Sequence, residues 1–209
     1  MVEPETPYTR EPGYAERYRD RRFTRGSGRR TDRLEVQAIQ RLLALASKTT
    51  DLQGDWLDAP SGAGRLSELL PGTPIRSDRN LAMLQACDSR MPKVCASLHQ
   101  LPFTDQAFSG VLCMRLLHHI PQSSERRRIL SELRRVSRGP VILSFFHSIS
   151  LQHARRKIAR QLGKTRSGRC AIRFSVLRED LTAAGWEVLA TRPLLRFVSE
   201  QWLVLAKPS

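Results

Sequence analysis

The residues Asp58-Ala59-Pro60-Ser61-Gly62-Ala63-Gly64 carry the densest chemical signal in the chain. An apolar strand at Trp56-Leu57 delivers this turn, and a short helix over 65–70 is predicted to leave it. Glycines let a backbone approach a ligand closely, and a helix N-terminus offers free N–H groups. Asp78 stands twenty residues after Asp58, at the predicted end of the next strand. A carboxylate there can grip two ribose hydroxyls. Two cofactor classes use such a turn. A dinucleotide enzyme wants G-x-G-x-x-G, because the turn cradles a pyrophosphate. Here Arg65-Leu66-Ser67 follows Gly64, so the third glycine is missing, and an acid precedes the glycines instead. A carboxylate repels a pyrophosphate but attracts the ammonium end of S-adenosylmethionine (SAM). The residues therefore favour SAM over NAD.

Methyl transfer from a sulfonium is an in-line displacement, so the protein must align the partners and exclude water. An oxygen or nitrogen nucleophile also sheds a proton, which suits histidine. His118 and His119 follow the fourth predicted strand, and His147 follows the fifth. All three sit at carboxyl ends of strands, where ligands bind in open α/β sheets. Cys113 and Met114 close strand four, beside the expected methionine moiety; simple packing outweighs a nucleophilic role for Cys113.

These residues need a scaffold. Short apolar runs at 56–57, near 75, at 94–96, 110–114 and 141–146 read as strands alternating with helices over 80–87, 123–136 and 174–184. That alternation predicts an α/β, Rossmann-like doubly wound sheet, mostly parallel. Two closing strands, 186–190 and 201–206, have no helix between them and predict one reversed strand at an edge. Apolar positions Leu34, Ala38, Ile39, Leu42, Leu43 and Leu45 predict a leading helix capped by Thr31 or Asp32. Residues 1–50 thus form an N-terminal arm and helix, and 51–209 the ligand-binding domain, with a basic insertion at 148–173.

The same segments resemble the type 11 group of class I SAM-dependent methyltransferases, which includes the quinone-biosynthesis C-methyltransferases. Asp58 to Gly64 looks like motif I, with Pro60 where many members have glycine. Asp78-Arg79-Asn80-Leu81-Ala82-Met83-Leu84 resembles the D-x-S-x-x-M-L segment. Leu101-Pro102-Phe103 with Phe108 resembles L-P-F…F-D-x-V, Leu117-His118-His119-Ile120 the "lhHi" ending, and Leu133-Arg134-Arg135-Val136 the E-x-x-R-V-L helix. The resemblance runs from about Trp56 to Phe146. It implies cofactor contacts from Asp58, Ala59, Pro60, Gly62, Gly64, Asp78, Arg79, Met83, Ser97, Leu98 and Cys113. Two positions depart from it. Ser97 replaces the Asp that reads the adenine amino group, and Ser109 replaces the Asp of F-D-x-V. A serine accepts a hydrogen bond without charge.

The 209 residues suit one α/β domain with a full core. The net charge is +15, and 30 of the 35 basic residues are arginine. Residues 126–173 hold fourteen basic residues and one acid, Glu132, a net +13. Such a field suits an anionic partner: nucleic acid, an acidic lipid surface touched peripherally, or an anionic substrate. A solvated face is the plain alternative. Arg155 and Arg156, on an amphipathic helix in the insertion, are candidate clamps for an acceptor. Tyr14, Tyr18 and Phe23, interleaved with arginines, suit stacking on a ring. Cys87, Cys95, Cys113 and Cys170 are scattered, which supports neither zinc nor a disulfide framework. No secretory pattern opens the chain, so a cytoplasmic location is expected. The end of strand four reads Cys113-Met114-Arg115, not the Asn/Asp-Pro-Pro-Tyr of base-amino methylation. The leading expectation is a methyltransferase for a small or lipid-like, anionic acceptor. An RNA-binding protein or RNA methyltransferase, and a non-catalytic subunit of the same fold, stand as alternatives.

Overall fold

A computed structural model describes Ala15 and residues 26–87, 90–161, 169–196 and 198–209. A leading helix α1 (Gly26–Ala46) is followed by β1 (Trp56–Asp58), β2 (Ile75–Asp78), α2 (Leu81–Gln85), β3 (Lys93–Cys95) and β4 (Gly110–Cys113). Then come α3 (Ser123–Val136), β5 (Val141–Phe146), α4 (Leu151–Gln161), α5 (Phe174–Ala183), β6 (Trp186–Pro193) and β7 (Gln201–Pro208). The strands form one sheet in the order β3-β2-β1-β4-β5-β7-β6. β1 to β5 pair in parallel. β7 runs antiparallel to both β5 and β6. The fold is therefore the mostly parallel α/β sheet expected, with the antiparallel pairing at one edge. The hairpin from β6 hands β7 back against β5, so the reversed strand lies one place inside β6. The strand order turns around between β1 and β4, and ligands bind at the carboxyl ends beside such a switch point.

β4 and β5 are covered on both faces, which explains their continuous apolar runs. On one face α3 and α5 bring Ile129, Leu130, Leu133, Leu177 and Leu181 against Leu57, Val111 and Leu143. On the other, Ala38, Ile39, Leu42 and Ala46 of α1 pack on Trp56, Leu112, Ile142, Leu203 and Leu205. Ile39 and Leu42 are fully buried, worth about 1.5–3 kcal/mol each. Gly110 is required where β4 passes Trp56, because a Cβ there would lie 2.5 Å from the indole.

Three expectations change. α1 begins at Gly26, so Thr31 and Asp32 are inside the helix and do not cap it. Asp32 reaches Arg65 of the motif I turn instead. The helix predicted over 65–70 is a single 3-10 turn, Ser67–Leu69. Pro71 and Gly72 stop it, and the Ser67 hydroxyl is drawn down onto Asp58. The cationic field over 126–173 is also narrower than its charge count. Arg126 is buried and holds Asp180 through Nη2 at 2.7 Å and Nε at 2.8 Å, and Arg127 adds a third contact at 2.8 Å. Arg135 binds Glu132 and Asp105, and donates to the Leu101 and Phe103 carbonyls. These arginines weld α3 to its neighbours. Tyr14, Tyr18 and Phe23 lie outside the described residues. Among the described residues, no helix is long and apolar enough to cross a membrane.

Candidate active site

Two buried or half-buried acids frame the glycine turn. Asp58 ends β1 and is 2% exposed. Its Oδ2 accepts from the Ser67 hydroxyl at 2.6 Å, and Arg76 Nε donates to that same hydroxyl at 3.0 Å. Burial pushes the Asp58 carboxyl up to about 7, against the opposing pull of Ser67 and Arg76. Asp78 ends β2. Its Oδ2 accepts from Gly62 N–H at 2.8 Å and its Oδ1 from Asn80 N–H at 2.9 Å. Burial raises its pKa as well, while those N–H groups pull it down. Gly62 and Gly64 both have positive φ, +55° and +74°. That conformation costs a side chain about 1–2 kcal/mol. A Cβ on Gly64 would also meet Arg76 Nε at 2.7 Å.

Among the described residues, a 3-10 turn and not an α-helix leaves this turn. That removes the usual cradle of a pyrophosphate and leaves two carboxylates around a tight backbone turn. Such a set suits a ligand with hydroxyls and a cationic amine. Met83 is buried on α2, whose N-cap is Asn80, while Arg79 is exposed. Ser97 is exposed after β3, its Oγ accepting from His99 N–H at 3.3 Å. Leu98 beside it is half-buried.

The other predicted residues separate by environment. Cys113 is fully buried in the core, and burial pushes its thiol up to about 12. Its side chain packs in the core on the α3 side, together with Ala59. His118 is 3% exposed and stacks flat on Phe146 with ring centroids 4.0 Å apart. His119 is exposed next to it, 4.1 Å away. His147 is not suited to act as a base. Its Nδ1 accepts from Ile149 N–H at 2.9 Å, so the neutral ring carries its proton on Nε2 and has no spare lone pair. Burial also lowers its pKa. His147 instead stacks on Trp202, with centroids 4.7 Å apart. Both line a cavity of about 620 Å³ at the ends of β5, β6 and β7, together with Ile149, Pro193, Arg192 and Arg196. Arg155 is exposed on α4; the side chain of Arg156 lies outside the described residues.

A cluster without local sequence signal sits behind the turn. Glu35 of α1 is fully buried and accepts from Arg115 Nε at 2.8 Å, Gln201 Nε2 at 2.6 Å and Arg65 Nη2. Arg115 follows β4 with φ +60°, and its N–H is held by Ser144 Oγ at 2.7 Å. Glu35 therefore ties α1 to the motif I turn, the end of β4 and β7 together. An acid in the midst of the apolar face of α1 was the only sequence hint.

Residues 57–145 match the family model described as a methyltransferase domain. This segment is similar to methyltransferase domains. The whole chain shares its fold with solved methyltransferases. Magnesium protoporphyrin IX methyltransferase from Synechocystis, solved with bound S-adenosylhomocysteine, is 19% identical, with 93% of this chain and 94% of that one covered and a TM-score of 0.72. The same enzyme with bound SAM gives 17% identity, 100% of both chains and a TM-score of 0.68. A SAM-dependent methyltransferase from Clostridium acetobutylicum is 13% identical over 84% of this chain and 92% of its own, with a TM-score of 0.66. No curated protein matches the sequence. The acids, glycine turn and His118–His119 pair all fall within the matched segment, while the cavity beside Trp202 draws on segments beyond it.

Proposed function

We propose that the protein is a SAM-dependent methyltransferase for a small or lipid-like, anionic acceptor. The observation that carries this reading is the pair Asp58 and Asp78 around a glycine turn that leads into a 3-10 turn and not an α-helix. When bound, SAM supplies an electrophilic methyl group on sulfur. Asp78 keeps acceptor capacity for ribose hydroxyls, because a carboxylate offers about four acceptor sites and the backbone N–H groups of Gly62, Asn80 and Arg79 do not fill them. Asp58 supplies negative charge toward the amine. Ala59, Pro60, Gly62, Gly64, Arg79, Met83 and Leu98 complete the cofactor set in this reading. Ser97 offers the adenine edge a neutral hydrogen-bond partner.

The acceptor side is supported by the cavity beside Trp202. Its volume of about 620 Å³ lies within the ~300–1,000 Å³ of small-molecule sites. An aromatic and aliphatic wall with Arg192 and Arg196 suits an apolar body bearing a carboxylate or phosphate. Arg155 and Arg156, on α4, are the further candidate clamps for the acceptor in this reading. His119, exposed at the carboxyl edge, is the candidate base where the nucleophile must lose a proton. The test is calorimetry and thermal melting with S-adenosylhomocysteine and with NADH. S-adenosylhomocysteine should bind and raise the melting temperature, and NADH should do neither. Stabilisation by NADH alone would overturn the reading.

A further inference from the structure

Large exposed aliphatic side chains are rare among the described residues, and they are not scattered. Among the described residues they are Leu81, Ile149, Leu151, Ile158 and Val198, and four of these five lie on one face. Ile149 is 75% exposed, Ile158 56%, and Leu151 and Val198 50% each. Two chain segments build the face. Leu151 and Ile158 are seven residues apart on α4, so they share a side of the helix, with Arg155 between them. Gln152 N–H donates to the Val198 carbonyl at 3.1 Å, and the Gln152 Oε1 accepts from Glu200 N–H at 3.2 Å. These bonds fasten the start of α4 to the β6–β7 loop and bring Val198 beside Ile149 and Leu151.

Among the described residues, the exposed charge around these aliphatics is cationic. Arg155, Lys157, Arg192 and Arg196 are exposed. No aspartate or glutamate occurs between Glu132 and Glu179, and Glu200, the nearest acid of the loop, is buried. Unlike the arginines of α3, those of α4 have no acid on their own segment. A cationic helix that projects aliphatic side chains matches a lipid interface, where the aliphatics enter the acyl boundary and the cations meet anionic headgroups. Nucleic acid would use the cations but gives no return for exposed isoleucine and valine, since bases stack on aromatic rings.

We infer that the face formed by α4 and the β6–β7 loop docks onto an anionic lipid surface through Ile149, Leu151, Ile158 and Val198, with Arg155 and Lys157 beside them. Ile149 and Arg196 also line the cavity next to Trp202, so the docked face and the cavity are contiguous. The inference does not rest on the methyltransferase reading, because it concerns a surface outside the glycine turn.

The experiment is co-sedimentation of the full chain with vesicles of phosphatidylcholine alone and of phosphatidylcholine with phosphatidylserine. Binding is expected only to the anionic vesicles and should fall as salt is added. Ile149→Asp with Val198→Asp should reduce partitioning at least about tenfold. Arg155→Ala with Lys157→Ala should reduce it about fivefold per cation removed. Ile149→Ser with Val198→Ser should give a smaller loss without added charge. All three pairs should keep the wild-type melting temperature, as their sites are exposed. Absence of binding to the anionic vesicles would overturn the inference, and so would unchanged binding by the aspartate pair. Binding of polyuridine, lost with Arg155 and Lys157 but not with Ile149 and Val198, in a protein that ignores vesicles, would assign the face to RNA instead.

Discussion

Asp58→Asn separates the cost of a buried carboxylate from its use. Asp58 is 2% exposed and is held up to about 7 from an ordinary 3.8. The fold therefore prefers the protonated acid. A raised carboxyl pKa means stability that is complete below the unfolded value and is lost as pH rises through the folded one. Three units at ~1.36 kcal/mol each give about 4 kcal/mol lost by wild type between about pH 4 and about pH 8. The asparagine variant is nearly isosteric, still accepts from Ser67, and carries no charge. It should therefore gain on wild type by about 4 kcal/mol across that range. For a chain of this length that is roughly ten degrees in melting temperature. The assay is thermal melting by circular dichroism of both proteins from about pH 4 to about pH 8. A companion calorimetric titration with S-adenosylhomocysteine should show weaker binding in the variant, because the amine loses its counter-charge. Parallel melting curves across the range would refute the reasoning, since they would mean that Asp58 is not charged against the fold.

Two further outcomes follow from the same geometry. Asp78→Ala should weaken S-adenosylhomocysteine binding by ~1.5–3 kcal/mol, the worth of a charged hydrogen bond, with the fold retained; unchanged affinity would place the ribose elsewhere. Arg126→Ala leaves Asp180 buried with its main partner gone and should cost ~3–5 kcal/mol in urea unfolding; a loss under 1 kcal/mol would show that Arg127 and Ser123 suffice.

The parts of this protein set by local chemistry could be read from its residues. Asp58, Gly62, Gly64 and Asp78 announce a strand, a tight turn and a second strand because glycine and carboxylate roles are local, although the sequence also predicts a helix between them. Ile129, Leu130, Leu133 and Val136 give α3 because their spacing follows the helix. What escaped depends on distant partners. Glu35 meets Arg115 eighty residues away and Gln201 twice as far, and no window along the chain contains both. The charge count of 126–173 could not reveal that Arg126, Arg127 and Arg135 face acids in the fold, so it overstated the free cationic surface. The 3-10 turn at Ser67–Leu69 replaced a helix because the Ser67 hydroxyl is claimed by Asp58 and Arg76, a competition between side chain and backbone that pattern alone does not weigh. His147 followed the rule for strand ends, but the hydrogen bond from Ile149 uses the nitrogen a base needs.

The position of β7 has a consequence for synthesis. The ribosome releases β5 long before residues 201–208, yet it is those residues that pair with all six positions of β5. Until they emerge, the nascent chain presents β5 as a bare apolar template with its backbone donors and acceptors open to any passing strand. β6, made earlier, cannot occupy that place, because it joins the sheet only through β7. The sheet therefore closes from its interior, in a single late step, and the interval before that step is when the chain is most exposed to misassembly and most in need of a chaperone.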